Sequence, residues 1–344
     1  MAFPKVVVVT GASAGVGRAA ARLFAKKGAN VGLIARGRDG LEAARREIES
    51  YNCRALVVPA DVADAAAVEN AAERVESELG AIDVWVNVAM VSVFSPFLEM
   101  TAEEFKRVTE VTYLGYVYGT MAALKRMQTR NQGTIVQVGS ALAYRSIPLQ
   151  SAYCGAKHAM VGFTDSIRCE LVHAQSKVNL TVVHMPALNT PQFTWVKSRL
   201  PRKPQPVPPI FQPEVAAEAI IHAATHPRRE YWIGSPTVAA ITGQKFIPGL
   251  LDRYLGKTGY DAQQYDGAAD PNRPSNLWQP LPGDFGAHGE FDSRTHKRSW
   301  QTILNLHRRW IGLGLLAAGL AAALVKKRDN LMGLADPAKE KLAA

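Results

Sequence analysis

Tyr153 and Lys157 stand four residues apart in YCGAK, and Ser140 precedes them in VGSALAY. A tyrosine serves as the acid in carbonyl reduction only when its proton is loosened, because its unperturbed pKa is about 10. A lysine one helical turn further on lies on the same face and brings a positive charge that favours the phenolate. A serine hydroxyl from a neighbouring strand end would hold the substrate oxygen beside the phenol. YxxxK alone is common by chance. Joined to Ser140 and to TGASAGVG at residues 10–17, it points to hydride transfer between a nicotinamide and a carbonyl or alcohol.

The glycine-rich stretch sits in VVVVTGASAGVGRAAARLFAKKG, a buried strand, a turn and an amphipathic helix. Gly11, Gly15 and Gly17, with Thr10, Ser13 and Val16 between and beside them, let the backbone bend and approach a pyrophosphate at the helix N-terminus. The second strand ends in VGLIARGRDG, where an acidic residue would bind the adenosine ribose. Arg36 and Arg38 stand there instead and suit a 2′-phosphate, so the expected cofactor is NADP(H). Asp61, after the third strand, is expected to accept a hydrogen bond from the adenine amine, with a helix-leading turn residue as the alternative.

Those residues need a scaffold, and residues 5–235 supply its pattern. Short β-branched runs alternate with helical stretches, which predicts a doubly wound α/β fold with a parallel sheet of order 3-2-1-4-5-6-7. Strands are expected at 5–10, 31–35, 55–58, 82–87, 134–138, 178–184 and 231–233. Helices are expected at 15–27, 40–50, 65–79, 103–128, 151–174 and 213–225. Runs such as VVVV fit strands covered on both faces. We expect a dinucleotide-binding catalytic domain over residues 1–240 and an irregular extension over 241–302. A basic-flanked apolar helix would follow over 303–328, then a polar tail over 329–344. Residues 191–213 hold seven prolines after a strand, as a lid or substrate loop would. Residues 243–300 show little periodicity and read as an irregular wrap or partial disorder.

At this point the chain resembles the short-chain dehydrogenase/reductase family over roughly residues 4–235. The likeness rests on the glycine loop, Asp61-Val62, Ser140, the Tyr153–Lys157 segment, and Pro186 with Thr190. It implies that Tyr153 exchanges a proton with the substrate oxygen, that Lys157 also holds the nicotinamide ribose, and that Thr190 binds the carboxamide. It implies, too, that Val62, Asn87, Ala89 and Pro186 belong to the cofactor site. Three departures stand out. The family's NNAG reads Asn87-Val88-Ala89-Met90, its helical asparagine is replaced by Thr112 in a proton-relay position, and PGxxxT becomes PALNT with Ala187. The family also implies a homo-oligomer built on the helices near 103–128 and 151–174.

Composition narrows the rest. Three scattered cysteines fit a reducing compartment, and KVVVVTG starts the fold at once, so a cytoplasmic catalytic domain is expected. The net charge is +10, and residues 297–344 hold nine Lys/Arg against three Asp/Glu. Trp310–Val325 is sixteen residues without a polar side chain, bounded by Arg308-Arg309 and Lys326-Lys327-Arg328. We expect membrane contact through residues 303–328, with a buried helix at a dimer contact as the alternative. Interleaved aromatics are missing from the basic clusters, so no nucleic-acid partner is expected. His222 and His226 have metal-ligand spacing but no third ligand, and no metal is expected. Cys154 is expected to pack, and Tyr144 and Arg145 to lie in a loop at the substrate pocket or its rim. The substrate would be a small to medium hydrophobic carbonyl or alcohol. The competing reading is a cofactor-binding regulator or scaffold with little catalysis.

Overall fold

The computed structural model describes residues 3–270 and 272–308. The chain divides into two compact units, Met1–Thr302 and Ile303–Ala344. The second is described only for residues 303–308, which are helical. The first is built on seven strands: Val6–Thr10 (β1), Asn30–Ala35 (β2), Ala55–Pro59 (β3), Val84–Asn87 (β4), Thr134–Ser140 (β5), Asn179–Met185 (β6) and Glu230–Trp232 (β7). They form one sheet in the order β7-β6-β5-β4-β1-β2-β3, parallel at every pairing. That is the expected topology, and each strand lies within two residues of its expected limits. All five residues of β1 are buried, as a strand covered on both faces requires.

Helices cover the two faces. Gly15–Lys26 (α1), Arg38–Glu49 (α2) and Pro213–Thr225 (α7) pack together on one side. Ala65–Leu79 (α3), Gly115–Thr129 (α5) and Ser151–His173 (α6) pack on the other. The stretch expected as a single helix over 103–128 is instead Ala102–Thr109 (α4), a π turn at Glu110–Leu114, and α5. Thr101 opens α4 with a reciprocal capping box to Glu104. At Gly115, which opens α5 after the π turn, a Cβ would lie 2.7 Å from a Val62 methyl, so the backbone there passes close to Val62.

The largest departure from expectation follows residue 235. Ser235–Phe246 (α8) and Pro248–Ala262 (α9) are regular helices where an irregular extension was expected. A proline occupies the first turn of each, a position that lacks an intrahelical N–H partner anyway. Read linearly, those prolines look like breakers. The proline-rich 191–213 stretch is equally well tied down. It forms a short helix at Gln192–Trp195 and three small pairings: 197–198 with 93–94, 202–204 with 264–268, and 210–211 with 295–296. Phe94, Leu149, Phe193, Val196, Leu200, Ile210 and Phe291 close around it as a second apolar cluster.

None of the helices among the described residues is long and apolar enough to cross a membrane. Trp310–Val325, the expected membrane-contacting run, and the tail after it lie outside the described residues.

A buried polar cluster registers α5 on the sheet. Asn87, fully buried, donates through Nδ2 to Gln137 Oε1 at 3.0 Å and accepts from Trp85 Nε1 at 2.9 Å. Its amide also reaches Thr120 Oγ1 and the Tyr116 carbonyl. Removing one member leaves the others unpaired in a dry interior. Asn87→Ala should therefore lower unfolding stability by about 3 kcal/mol, measured by urea titration.

Candidate active site

Three elements bring the reactive side chains together. Ser140 ends β5, Tyr153 and Lys157 lie one turn apart on α6, and all three line a cleft of about 270 Å³ at the C-terminal edge of the sheet. Doubly wound sheets place ligands at this edge. Ser140 Oγ accepts the Leu142 N–H at 3.1 Å, and its hydroxyl also bonds the Tyr153 phenol. His184, on β6, supports it from behind, with Nδ1 3.1 Å from the Ser140 carbonyl oxygen. Its other nitrogen faces the Glu230 carboxylate at 3.5 Å. Burial alone would raise the Glu230 pKa, but the facing His184 ring and hydrogen bonds from Trp232 and Tyr144 bring it down to about 2.

Lys157 is only 2% exposed. Its Nζ donates to Tyr116 Oη and to the Val138 carbonyl, both at 2.8 Å, and lies 4.3 Å from the Tyr116 ring centroid. The Tyr153 ring centroid is 5.6 Å away. Burial among neutral oxygens pulls the lysine pKa from 10.5 down to about 7. Burial likewise pushes the Tyr153 phenol above its usual value, while its hydrogen bond with Ser140 pulls the other way. The phenol proton is therefore held more tightly here than in a free tyrosine, against the loosening expected from the Tyr153–Lys157 spacing, because burial outweighs the Ser140 hydrogen bond.

The helical position expected to relay protons behaves differently. Thr112 Oγ1 donates to the Val91 carbonyl at 2.8 Å and accepts the Val91 N–H at 3.0 Å. Its hydroxyl is committed to the backbone behind the cleft and does not reach Lys157. Tyr116, one turn later, meets the lysine instead, and its own hydroxyl donates to the Val138 carbonyl at 3.0 Å. Sequence reasoning missed Tyr116. Its only signal was the i+4 spacing from Thr112, among several tyrosines in VTYLGYVYG.

The glycine loop fits an anion. Gly11 has φ 69° and a Cβ there would stand 2.8 Å from Ala89 Cα; at Gly17 it would stand 2.2 Å from the Gly11 carbonyl oxygen. The N-cap of α1, Ala14, makes no side-chain cap, so no residue of its own screens the helix N-terminus. Gly11, Ser13, Gly15, Val16, Arg36, Asp61, Val62, Ala89 and Pro186 all line the same cleft as the catalytic candidates. The residues present thus fit a dinucleotide.

Other expected contacts stand outside the lining. Thr10 is buried, and its Oγ1 accepts the Val88 and Ala89 N–H groups. Asn87 braces the sheet as described, and Gly17 serves by close packing. Thr190 packs against Gly15. Arg38 points outward, 74% exposed, toward Glu42. Asp61 does line the cleft, but its carboxylate is held by Arg107 at 2.5 Å and by the Ala63 N–H at 3.0 Å, the helix-leading turn weighed as its alternative. Arg36 donates to the carbonyls of Asn276, Leu277 and Trp278, residues no sequence argument connected with it. Ala187 causes no strain: the non-glycine residues with positive φ among those described are Asn52, Asn131, Leu149 and Gln175. Tyr144 and Arg145 bind Glu230, Gln244 and Asp252, tying the Ser140 loop to β7 and the α8–α9 pair. Cys154 is buried and its thiol pKa is raised by that burial, which suits packing.

Between the folded value near 7 and the ordinary 10.5, the native chain binds fewer protons at Lys157 than the unfolded chain. Stability should therefore rise with pH across that window and fall as pH drops back through 7. Urea midpoints at pH 7 and pH 9 should show this rise, and Lys157→Met should flatten it.

Comparison with known proteins places this geometry. A family model described as short chain dehydrogenase matches residues 5–199. The uncharacterized oxidoreductase YxnA of Bacillus subtilis is 35% identical over 326 residues, 94% of this chain and 91% of that protein. The 3-ketodihydrosphingosine reductase of Bos taurus is 30% identical over 237 residues, 67% of this chain and 71% of its own. Among solved structures, an alcohol dehydrogenase from the archaeon Thermococcus sibiricus, complexed with 5-hydroxy-NADP, superposes with a TM-score of 0.56 and 27% identity. That likeness covers 66% of this chain and 94% of the archaeal one. A parallel sheet of this order, a glycine loop at its edge and a serine–tyrosine–lysine set in one cleft agree with those matches: the chain belongs to the short chain dehydrogenase family and is an oxidoreductase.

Proposed function

We propose that the protein is an NADPH-dependent reductase of a ketone or aldehyde on a hydrophobic substrate, with Tyr153 as the proton donor. The observation that carries the reading is the convergence of Ser140, Tyr153 and Lys157 on the cleft that the glycine loop also lines. The nicotinamide supplies hydride chemistry when bound. This chain's residues do the remainder. Ser140 turns its hydroxyl proton from the phenol to the substrate oxygen and fixes the carbonyl beside Tyr153. Tyr153 passes its proton to that oxygen as the carbonyl carbon is reduced, so the product is an alcohol. Lys157, when charged, stabilises the phenolate left behind, and Tyr116 fixes where that charge sits.

Arg36 supports the 2′-phosphate preference: it lies at the cleft beyond β2, where no carboxylate replaces it. Its bonds to the extension engage three of five N–H donors. The archaeal alcohol dehydrogenase, complexed with 5-hydroxy-NADP, points the same way. Met90, Val91, Leu188, Phe193, Trp195 and Phe285 give the cleft an apolar wall. With the sphingoid-ketone reductase among the relatives, that wall favours a long-chain or otherwise lipid-like ketone.

Tryptophan-to-nicotinamide energy transfer should show NADPH binding at least about tenfold tighter than NADH, the value of one charge-assisted contact. Tyr153→Phe should keep that binding and lose about a hundredfold or more in kcat. A variant with wild-type turnover would remove Tyr153 from the chemistry.

Reduction should weaken as pH rises through about 7, where Lys157 loses its proton. Tyr116→Phe deletes an acceptor of the ammonium, so the same limb of kcat/KM should move to lower pH by about one unit. An unmoved limb would show that Tyr116 serves packing alone.

A further inference from the structure

The cleft has an outer wall that comes from the far end of the chain. Leu277 is fully buried as part of the main core, and its carbonyl accepts from Arg107 Nε at 3.1 Å as well as from Arg36. Phe291 is planted in the second apolar cluster, and its N–H donates to Asn189 Oδ1 at 3.1 Å. Between these two posts the backbone crosses in front of the cleft. Pro280 lies against Gly37 at the end of β2, where a glycine Cβ would approach it to 3.3 Å. The Gly283 N–H donates to Asp39 at 2.7 Å. Asp284 pairs with Arg18 at 3.2 Å, and the Gly286 carbonyl accepts the Gly15 N–H at 3.0 Å. Phe285 meets Trp195 edge-on, with ring centroids 4.7 Å apart.

Pro280, Leu281, Gly283 and Phe285 all line the cleft, so the span lies over the space a dinucleotide needs. Its attachments differ in kind from those of its posts. The posts are held by burial in two cores. The middle is held by one ion pair, two backbone hydrogen bonds and one ring contact, with Asp284 42% exposed. Gly283 and Gly286, both at positive φ, bracket that middle and give it the backbone freedom to lift. A glycine-loop N–H already satisfied by a carbonyl of the span adds a direct exchange: an entering phosphate meets that carbonyl oxygen and must turn it aside.

We propose that residues 278–286 form a latch over the cofactor cleft, opening for cofactor exchange and closing with Asp284 on Arg18 and Phe285 on Trp195. The proposal rests on the cofactor reading above. Trp195 ends the short helix of the proline-rich loop, so the latch joins the cofactor end of the cleft to the substrate end. With the latch closed, cofactor is retained while substrate and product pass.

The test is stopped-flow mixing of the full chain with NADPH alone, read by tryptophan-to-nicotinamide energy transfer. Wild type is compared with Asp284→Asn and Phe285→Ala, two exposed positions whose loss leaves both posts in place. A gate limits both directions, so each substitution should raise the association and dissociation rate constants together, by about tenfold. If only dissociation quickens, the span is an ordinary contact and not a gate. If neither constant changes, the latch is wrong while the cofactor reading stands. If wild type binds neither NADPH nor NADH, the cofactor reading fails, and the latch fails with it.

Discussion

The site depends on keeping one ammonium group in a place where water cannot reach it. Lys157 sits between the Tyr116 hydroxyl and the Val138 carbonyl, and burial has already drawn its pKa to about 7. On the proposed mechanism, a charge in that position would act on the neighbouring phenol with little screening. It also weakens its own hold on the proton. The same burial thus sets both the strength of the effect and the pH at which it disappears. Every element that touches the lysine must be fixed for this balance to hold. β5 supplies the carbonyl, α5 supplies the phenol, and the Asn87 cluster locks α5 to β4 and β5.

Much of this was legible before any coordinates. β-branched runs separated by amphipathic helices pointed to a covered parallel sheet, and the expected strand order is the observed one. Ser140, Tyr153 and Lys157 were legible because their spacing carries chemistry. What escaped was partnership across long sequence distances. Thr112 lies in the π turn at Glu110–Leu114 and Tyr116 one turn later in α5, and no local pattern announces that it is Tyr116 that meets Lys157. Arg36 lines the cleft, yet its three carbonyl partners come from about 240 residues later. Pro236 and Pro248 hid two helices by occupying the one place where a helix tolerates proline.

Beyond the family match at residues 5–199, the chain continues to build the site. The likeness to YxnA covers 94% of this chain and so runs well past that boundary. α8 and α9 hold the loop after Ser140 through Arg145, and the 276–291 stretch finishes the cleft wall. Beyond residue 186, Leu188, Phe193, Trp195, Leu281 and Phe285 supply part of the surroundings of the reactive groups.

The second apolar cluster has a consequence for how much chain makes a stable unit. Phe94, Leu149 and Phe193 come from within the family-sized region, whereas Phe291 and Tyr265 close over them from outside it. Ending the protein near residue 240 would uncover that seam and strip the edge pairings of 202–204 and 210–211. The smallest autonomous form of this enzyme is accordingly longer than its family signature: the extension is a keystone, and the signature region alone is an arch without one.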